Sequence, residues 1–209
     1  MTAYRALQAT LVPAIRAVWR LQVRGGQHVP GEGPAVVVAN HESQTDPFFL
    51  GAAFTRQLRF VAKDELWSVP ILGWTLERLG AIPIGRGRGD HDAMAAARAR
   101  LDAGELVALF PQGTTIPRPD RAWLRGAARL ALATGAPIVP VALVHTERVL
   151  RPVRPRVGFP SVVVLVGEPI AVAPGAPTIR AARELTAQAR AAVEDLRAPF
   201  DPPAHVPFG

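Results

Sequence analysis

Several short runs in this chain are apolar at every position, and that continuity limits the available folds more than any other feature. Residues 35–39 read Ala-Val-Val-Val-Ala, residues 106–110 read Leu-Val-Ala-Leu-Phe, and residues 138–144 read Ile-Val-Pro-Val-Ala-Leu-Val. A half-exposed strand alternates apolar with polar residues. A run without alternation, rich in β-branched residues, predicts a strand covered on both faces. Further strands are expected over 58–62, 81–84 and 161–166. Between the runs the apolar spacing becomes helical, over 46–53, 70–79, 91–103, 124–134 and 178–196, with Thr178 as N-cap of the last. The alternation predicts an α/β fold: a single domain with a central mixed, largely parallel sheet flanked by helices.

The two ends read differently from the middle. Residues 1–24 are expected to form an N-terminal amphipathic helix, in which Leu7, Leu11, Ile15 and Val18 share one face while Arg5, Arg16, Arg20 and Arg24 fall on the other. Pro13 should kink or delay it. An apolar stripe opposite arginines suits a helix lying in a lipid interface, and equally one packed on its own domain with a solvated basic face. Residues 25–198 make up the domain proper, and 199–209 a Pro-rich irregular tail. No stretch reaches the roughly 18 uncharged apolar residues of a spanning helix. The best candidate, 130–144, contains Gly135, Pro137 and Pro140. Contact with a membrane is therefore expected to be peripheral.

The formal charge of +7 comes from arginine, since Lys63 is the one lysine. Such an excess suits anionic partners: phospholipid headgroups, a phosphorylated substrate, an acidic carrier or nucleic acid. Nucleic acid is disfavoured, because aromatic residues make up only 6% of the chain and offer no base-stacking platform. The Gly-Arg-Gly-Arg-Gly run at 85–89 is too short for a disordered arginine–glycine tail, and no Gly-Lys-Ser/Thr phosphate loop exists. With no cysteine, disulfides, cysteine–zinc sites and a thiol nucleophile are excluded. The histidines other than His41 lie scattered at 28, 91, 145 and 205, so no metal site is expected.

Three loops at the expected C-terminal ends of strands concentrate unusual polar residues: 40–46, 85–89 and 111–115. The first holds His41 and Asp46, five residues apart across a strand-to-helix turn. That spacing lets the carboxylate reach one imidazole nitrogen, fix the tautomer and leave the other nitrogen to take a proton. Taken singly, His41 is as readily a hydrogen-bonded turn residue. Asp46 before Pro47 is equally a good helix N-cap followed by proline at the first helical position.

The wider pattern narrows this choice. Asn40-His41-Glu42-Ser43-Gln44-Thr45-Asp46 resembles the His-x4-Asp block of the glycerolipid acyltransferases, a family that includes 1-acylglycerol-3-phosphate acyltransferases. The run 60–66, followed by Pro70 and Gly73, resembles the segment after that block, and 80–86 is similar to the second motif, ending in Arg86. Phe110-Pro111-Gln112-Gly113-Thr114 resembles the third motif and 138–142 the fourth, all in family order. The resemblance implies an acyltransferase in which His41, oriented by Asp46, deprotonates a lysolipid hydroxyl that attacks an acyl thioester directly, with no acyl-enzyme. The donor would be acyl-CoA or acyl carrier protein, with no cofactor. Lys63 and Arg86 would hold the acceptor's anionic headgroup, Gln112, Gly113 and Thr114 would line the acceptor site, and the protein would work peripherally on the cytoplasmic side of the membrane. Backbone N–H groups at Gly113 and Thr114 are placed to serve an oxyanion, an expectation that comes from the loop alone.

Two positions depart from the pattern. In phosphatidate-forming enzymes the third motif usually reads Phe-Pro-Glu-Gly-Thr-Arg, whereas Gln112 and Thr115 stand here for the glutamate and the arginine. Gln112 keeps an acceptor oxygen without the charge, and a threonine cannot rebuild a bidentate phosphate contact. Arg118 or Arg121 could supply charge nearby. The acceptor is therefore 1-acylglycerol-3-phosphate or a non-phosphatidate lipid such as a lyso-ornithine lipid. A catalytically degenerate lipid-binding relative is the non-enzymatic alternative. A hydrolase is disfavoured by the lack of a Gly-x-Ser-x-Gly elbow.

Overall fold

A computed structural model describes residues 3–68, 70–85, 89–115, 122–150 and 157–200. Among these residues seven strands form one sheet: β1 (Gln22–Arg24), β2 (Ala35–Ala39), β3 (Leu58–Lys63), β4 (Ile82–Ile84), β5 (Leu106–Leu109), β6 (Ile138–Val144) and β7 (Val163–Val166). Their order is β1-β7-β6-β2-β5-β3-β4. Every pairing is parallel except β6 with β7, as the mixed, largely parallel expectation requires. The central strands β2, β5 and β6 are buried at every position. Each fully buried valine there contributes about 1.5–3 kcal/mol of hydrophobic stabilisation, which explains why the unbroken runs end up in the middle of the sheet.

Among the described residues six helices cover it: α1 (Ala3–Val18), α2 (Asp46–Ala53), α3 (Pro70–Leu79), α4 (Gly89–Asp102), α5 (Gly126–Thr134) and α6 (Ile179–Arg197). Alternate residues of β2 point to opposite layers. Ala35, Val37 and Ala39 pack with Phe49, Leu50 and Phe60, and with Ile15 and Trp19 of the N-terminal segment. Val36 and Val38 pack with Ala97 of α4, Ala131 of α5 and Leu185 of α6. Thr178 caps α6 as expected, its Oγ1 accepting the Ala181 N–H at 3.1 Å.

The N-terminal helix is shorter than its periodicity suggests. It runs through Pro13 but stops at Val18, and residues 22–24 form β1 beside β7. Arg20 adopts the left-handed conformation (φ 42°), and the Leu21 N–H returns to the Arg16 carbonyl at 3.1 Å. This is a Schellman-type ending, usually built on glycine; with arginine in that place the sequence carries no stop signal. The inward face is also rotated. Gln8, Val12, Ile15 and Trp19 are half-buried, while Leu11 and Val18 remain 41% and 44% exposed. Among the described residues no helix is long and apolar enough to cross a membrane.

Candidate active site

Because β2, β5, β3 and β4 are parallel neighbours, their C-terminal ends share one edge of the sheet. The turn after β2 is anchored by Asn40. The β2–β6 ladder reaches Ala39 opposite Val141, and the Asn40 side chain then extends it. Its Oδ1 accepts the Leu143 N–H at 2.7 Å and its Nδ2 donates to the Leu143 carbonyl at 2.9 Å. A side-chain amide thus stands in for a strand, and the main chain is free to turn away at His41.

The turn closes on Asp46, which is wholly buried. Its Oδ2 accepts the His41 Nδ1–H at 2.8 Å, the Glu42 N–H at 2.7 Å and the Ser43 N–H at 2.9 Å. Asp46 is the first residue of α2 rather than its cap. Thr45 holds the cap position and makes no side-chain capping bond. The carboxylate looks back into the turn, not forward to the helix, so the N-cap expectation gives way to the histidine-orienting one. A carboxylate on Nδ1 requires the proton to reside there, which leaves Nε2 with its lone pair. The imidazole side chain is 18% exposed.

The loop after β5 supplies the opposite wall. Phe110 leaves the strand expected over 106–110 and stacks on the His41 ring, with centroids 4.3 Å apart and planes 22° from parallel. Gln112 accepts the His41 backbone N–H through Oε1. Gly113 sits at φ +66° and closes a turn, its N–H donating to the Phe110 carbonyl at 3.0 Å. That bond corrects one expectation: the Gly113 N–H is already engaged, because a tight turn on Gly113 is what brings Gln112 back to His41. Thr114 follows, half-buried.

The structure therefore brings His41, Asp46 and Gln112 into direct contact, with Gly113 shaping the loop. Lys63 ends β3, two strands from β2 and about 10 Å away by strand spacing. It is exposed and lies opposite Ile84 in the ladder. Arg86, Arg118 and Arg121 lie outside the described residues.

Sequence reasoning gave no role to Asn40, Phe110, Glu42 or Arg197. The Glu42 carboxylate forms an ion pair with Arg197 of α6. Burial pushes the Glu42 carboxyl above its ordinary value, with Arg197 pulling the other way. A buried asparagine closing an apolar strand was a readable signal for the first; nothing in the sequence links positions 42 and 197.

Comparison with known proteins places the chain in a family. The Acyltransferase family model matches residues 20–144. The 1-acyl-sn-glycerol-3-phosphate acyltransferase of Pseudomonas aeruginosa is 33% identical over 187 residues, covering 88% of this chain and 71% of the relative. The lyso-ornithine lipid O-acyltransferase of the same organism is 35% identical over 124 residues, 58% of this chain and 47% of its own. The chain spans only 39% of the length of the matching chloroplast enzyme of Arabidopsis thaliana. The crystal structure of the 1-acyl-sn-glycerophosphate acyltransferase PlsC of Thermotoga maritima shares the fold, with a TM-score of 0.67 over 95% of this chain and 84% of that one, at 24% identity. This chain belongs to the acyltransferase family and is an acyltransferase.

Proposed function

We propose that the protein moves a fatty acyl group from an acyl thioester, acyl-CoA or acyl carrier protein, to the free hydroxyl of a lysolipid. The first acceptor is 1-acylglycerol-3-phosphate, giving phosphatidic acid. The observation that carries the reading is the 2.8 Å contact between His41 Nδ1 and Asp46 Oδ2, which leaves Nε2 as the proton acceptor. Nε2 takes the hydroxyl proton, the alkoxide oxygen attacks the thioester carbonyl, and the C–S bond breaks. The imidazolium then returns the proton to the departing thiolate. Lys63 and Arg86 hold the acceptor's anionic headgroup, with Gln112, Gly113 and Thr114 on the acceptor side.

A second acceptor class has its own support. Gln112 and Thr115 replace the charged pair of phosphatidate-forming enzymes, and the lyso-ornithine relative reaches 35% identity. One assay separates the two: purified protein, both donors, and lysophosphatidic acid against lyso-aminolipid, read by mass spectrometry with His41→Ala as control. Ester formation on lysophosphatidic acid that the variant lacks supports the first acceptor. Products on the aminolipid alone move the reading to the second. Wild type and variant equally inert with every acceptor would leave a lipid-binding role.

Peripheral docking on the cytoplasmic side of the membrane completes the reading. Leu11, Val18, Phe48, Trp74 and Phe159 are exposed, and α1 and α2 lie on the sheet face against which Phe110 packs. Removing residues 1–24 is a poor test, because Trp19 packs in the core and 22–24 form β1. Leu11→Ser with Val18→Ser instead should lower the vesicle-bound fraction severalfold, given about 1.5–3 kcal/mol for each fully buried side chain. Unchanged cosedimentation with anionic vesicles removes α1 from the docking surface.

A further inference from the structure

Glu42 stands between the proposed base and the rest of the turn, and its two polar ends are used differently. Its backbone N–H donates to Asp46 Oδ2 at 2.7 Å, the oxygen that also takes His41 Nδ1. Its carboxylate pairs with the guanidinium of Arg197, 155 residues later in the last turn of α6. Both side chains are largely shielded, with 24% of Arg197 and 20% of Glu42 exposed. Asp46 and Glu147 add negative charge around Glu42, and both push its carboxyl in the same direction as burial does. The Arg197 guanidinium acts against burial and holds that rise in check.

A contact chain therefore runs from α6 through Glu42 to the Asp46 carboxylate and on to His41. Without Arg197, a shielded Glu42 carboxylate would face two like charges and lose the cation that opposes its burial. Breaking such a pair by deleting one partner is far costlier than its net worth, because a charge is left behind in poorly solvated surroundings. The relief open to Glu42 is to rotate toward solvent or take a proton. Either leaves the turn unfastened from α6, so that the main chain at Glu42, whose N–H helps hold Asp46, is free to shift.

We propose that Arg197 is a positioning residue for acyl transfer, holding Glu42 so that its backbone N–H keeps the Asp46 carboxylate set on His41. The proposal rests on the reading of His41 as general base. Arg197 acts on the turn through the Glu42 carboxylate rather than on the reacting atoms, so its effect belongs in the orientation of the base. Misplacing a catalytic group by a fraction of an ångström to one ångström costs on the order of 10–100-fold.

The test is a double-mutant cycle on the full chain: Arg197→Ala, Glu42→Ala and the pair, with Arg197→Lys as the conservative variant and His41→Ala as reference. Thermal unfolding confirms that each folds; Arg197→Lys and Glu42→Gln carry the test if the alanine variants do not. Arg197→Ala should lower kcat roughly tenfold or more with KM changed less than about twofold. Arg197→Lys should recover most of the loss, and Arg197→Ala should add little once Glu42 is alanine. In parallel, the Nδ1–H resonance of His41, assigned by its absence in His41→Ala, should shift or broaden in Arg197→Ala. An unchanged resonance together with unchanged kcat overturns the proposal, as do losses at 42 and 197 that simply multiply. Failure of the underlying reading looks different: wild type and His41→Ala are then equally inactive, while the resonance still decides whether Arg197 positions the histidine.

Discussion

The two edges of the sheet are built from similar side chains and arranged to opposite ends. At the edge where strands begin, Arg56 donates to three main-chain carbonyls, those of Pro30, Gly33 and Gly104, at 2.8–2.9 Å. Beside it, Arg59 grips Glu105 through two bonds of 2.7 and 2.9 Å. These polar groups serve the turns that feed β2, β3 and β5. At the edge where strands end, three donors converge on one oxygen of Asp46, and its buried Oδ1 has no hydrogen-bond partner among the described residues. A carboxylate so arranged is tuned to hold a histidine rather than to satisfy itself. Polar side chains that satisfy one another hold a fold together; those that leave a reactive nitrogen over mark the site.

If that contrast is right, substitutions at the two edges should separate activity from stability. The largest effect is expected from His41→Ala: transfer falls by roughly 10²–10⁴-fold while the melting temperature hardly moves, as initial rates and calorimetry will show. A melting temperature that collapses with the activity would make His41 structural and erase the contrast. Arg56→Ala should do the reverse. Unpairing the part-buried carbonyls of Pro30 and Gly104 costs about 1–3 kcal/mol each where water cannot replace the donor, visible in denaturant unfolding with kcat retained.

The smallest effect belongs to Glu105, and it depends on pH. Hydrogen bonding from Arg59, with the charges of Arg59 and Arg100, holds the Glu105 carboxyl below its ordinary value against the opposing effect of burial. A depressed carboxyl stabilises the fold above the unfolded value of 4.5, and that contribution is lost as pH falls through the lower folded value. Glu105→Gln should therefore lower stability at pH 7 by about 1 kcal/mol or less, since the pair is partly solvated. The gap from wild type should close in acid. A gap that stays constant from pH 7 to pH 3 would mean that shape rather than charge holds this edge.

Much of this arrangement is legible in the chain. The unbroken runs at 35–39 and 138–144, and that at 106–110 up to Leu109, are the central strands, because only a sheet covered on both faces accommodates valine and leucine at every position. The five-residue spacing from His41 to Asp46 anticipates their contact, since a single turn closes it. The N-terminal helix misleads because its stop is a left-handed Arg20 that no glycine announces. The N-cap at Asp46 misleads because capping and histidine-holding share a residue type, and only the direction of the carboxylate tells them apart. The oxyanion role of the Gly113 N–H fails because its turn consumes that donor.

The sequence by itself determined most of the elements, the class of fold and the His41–Asp46 contact, all of which depend on neighbours within a few residues. Tertiary structure alone decided that Gln112 meets the His41 N–H, that Asn40 locks onto Leu143 and that Arg197 reaches Glu42. It also turned Leu11 and Val18 outward from a helix whose periodicity allowed either facing. The physical reason is common to all four. Local spacing sets which side chains share a face or a turn, but the partner of a polar group is chosen by which distant surface the packing brings against it.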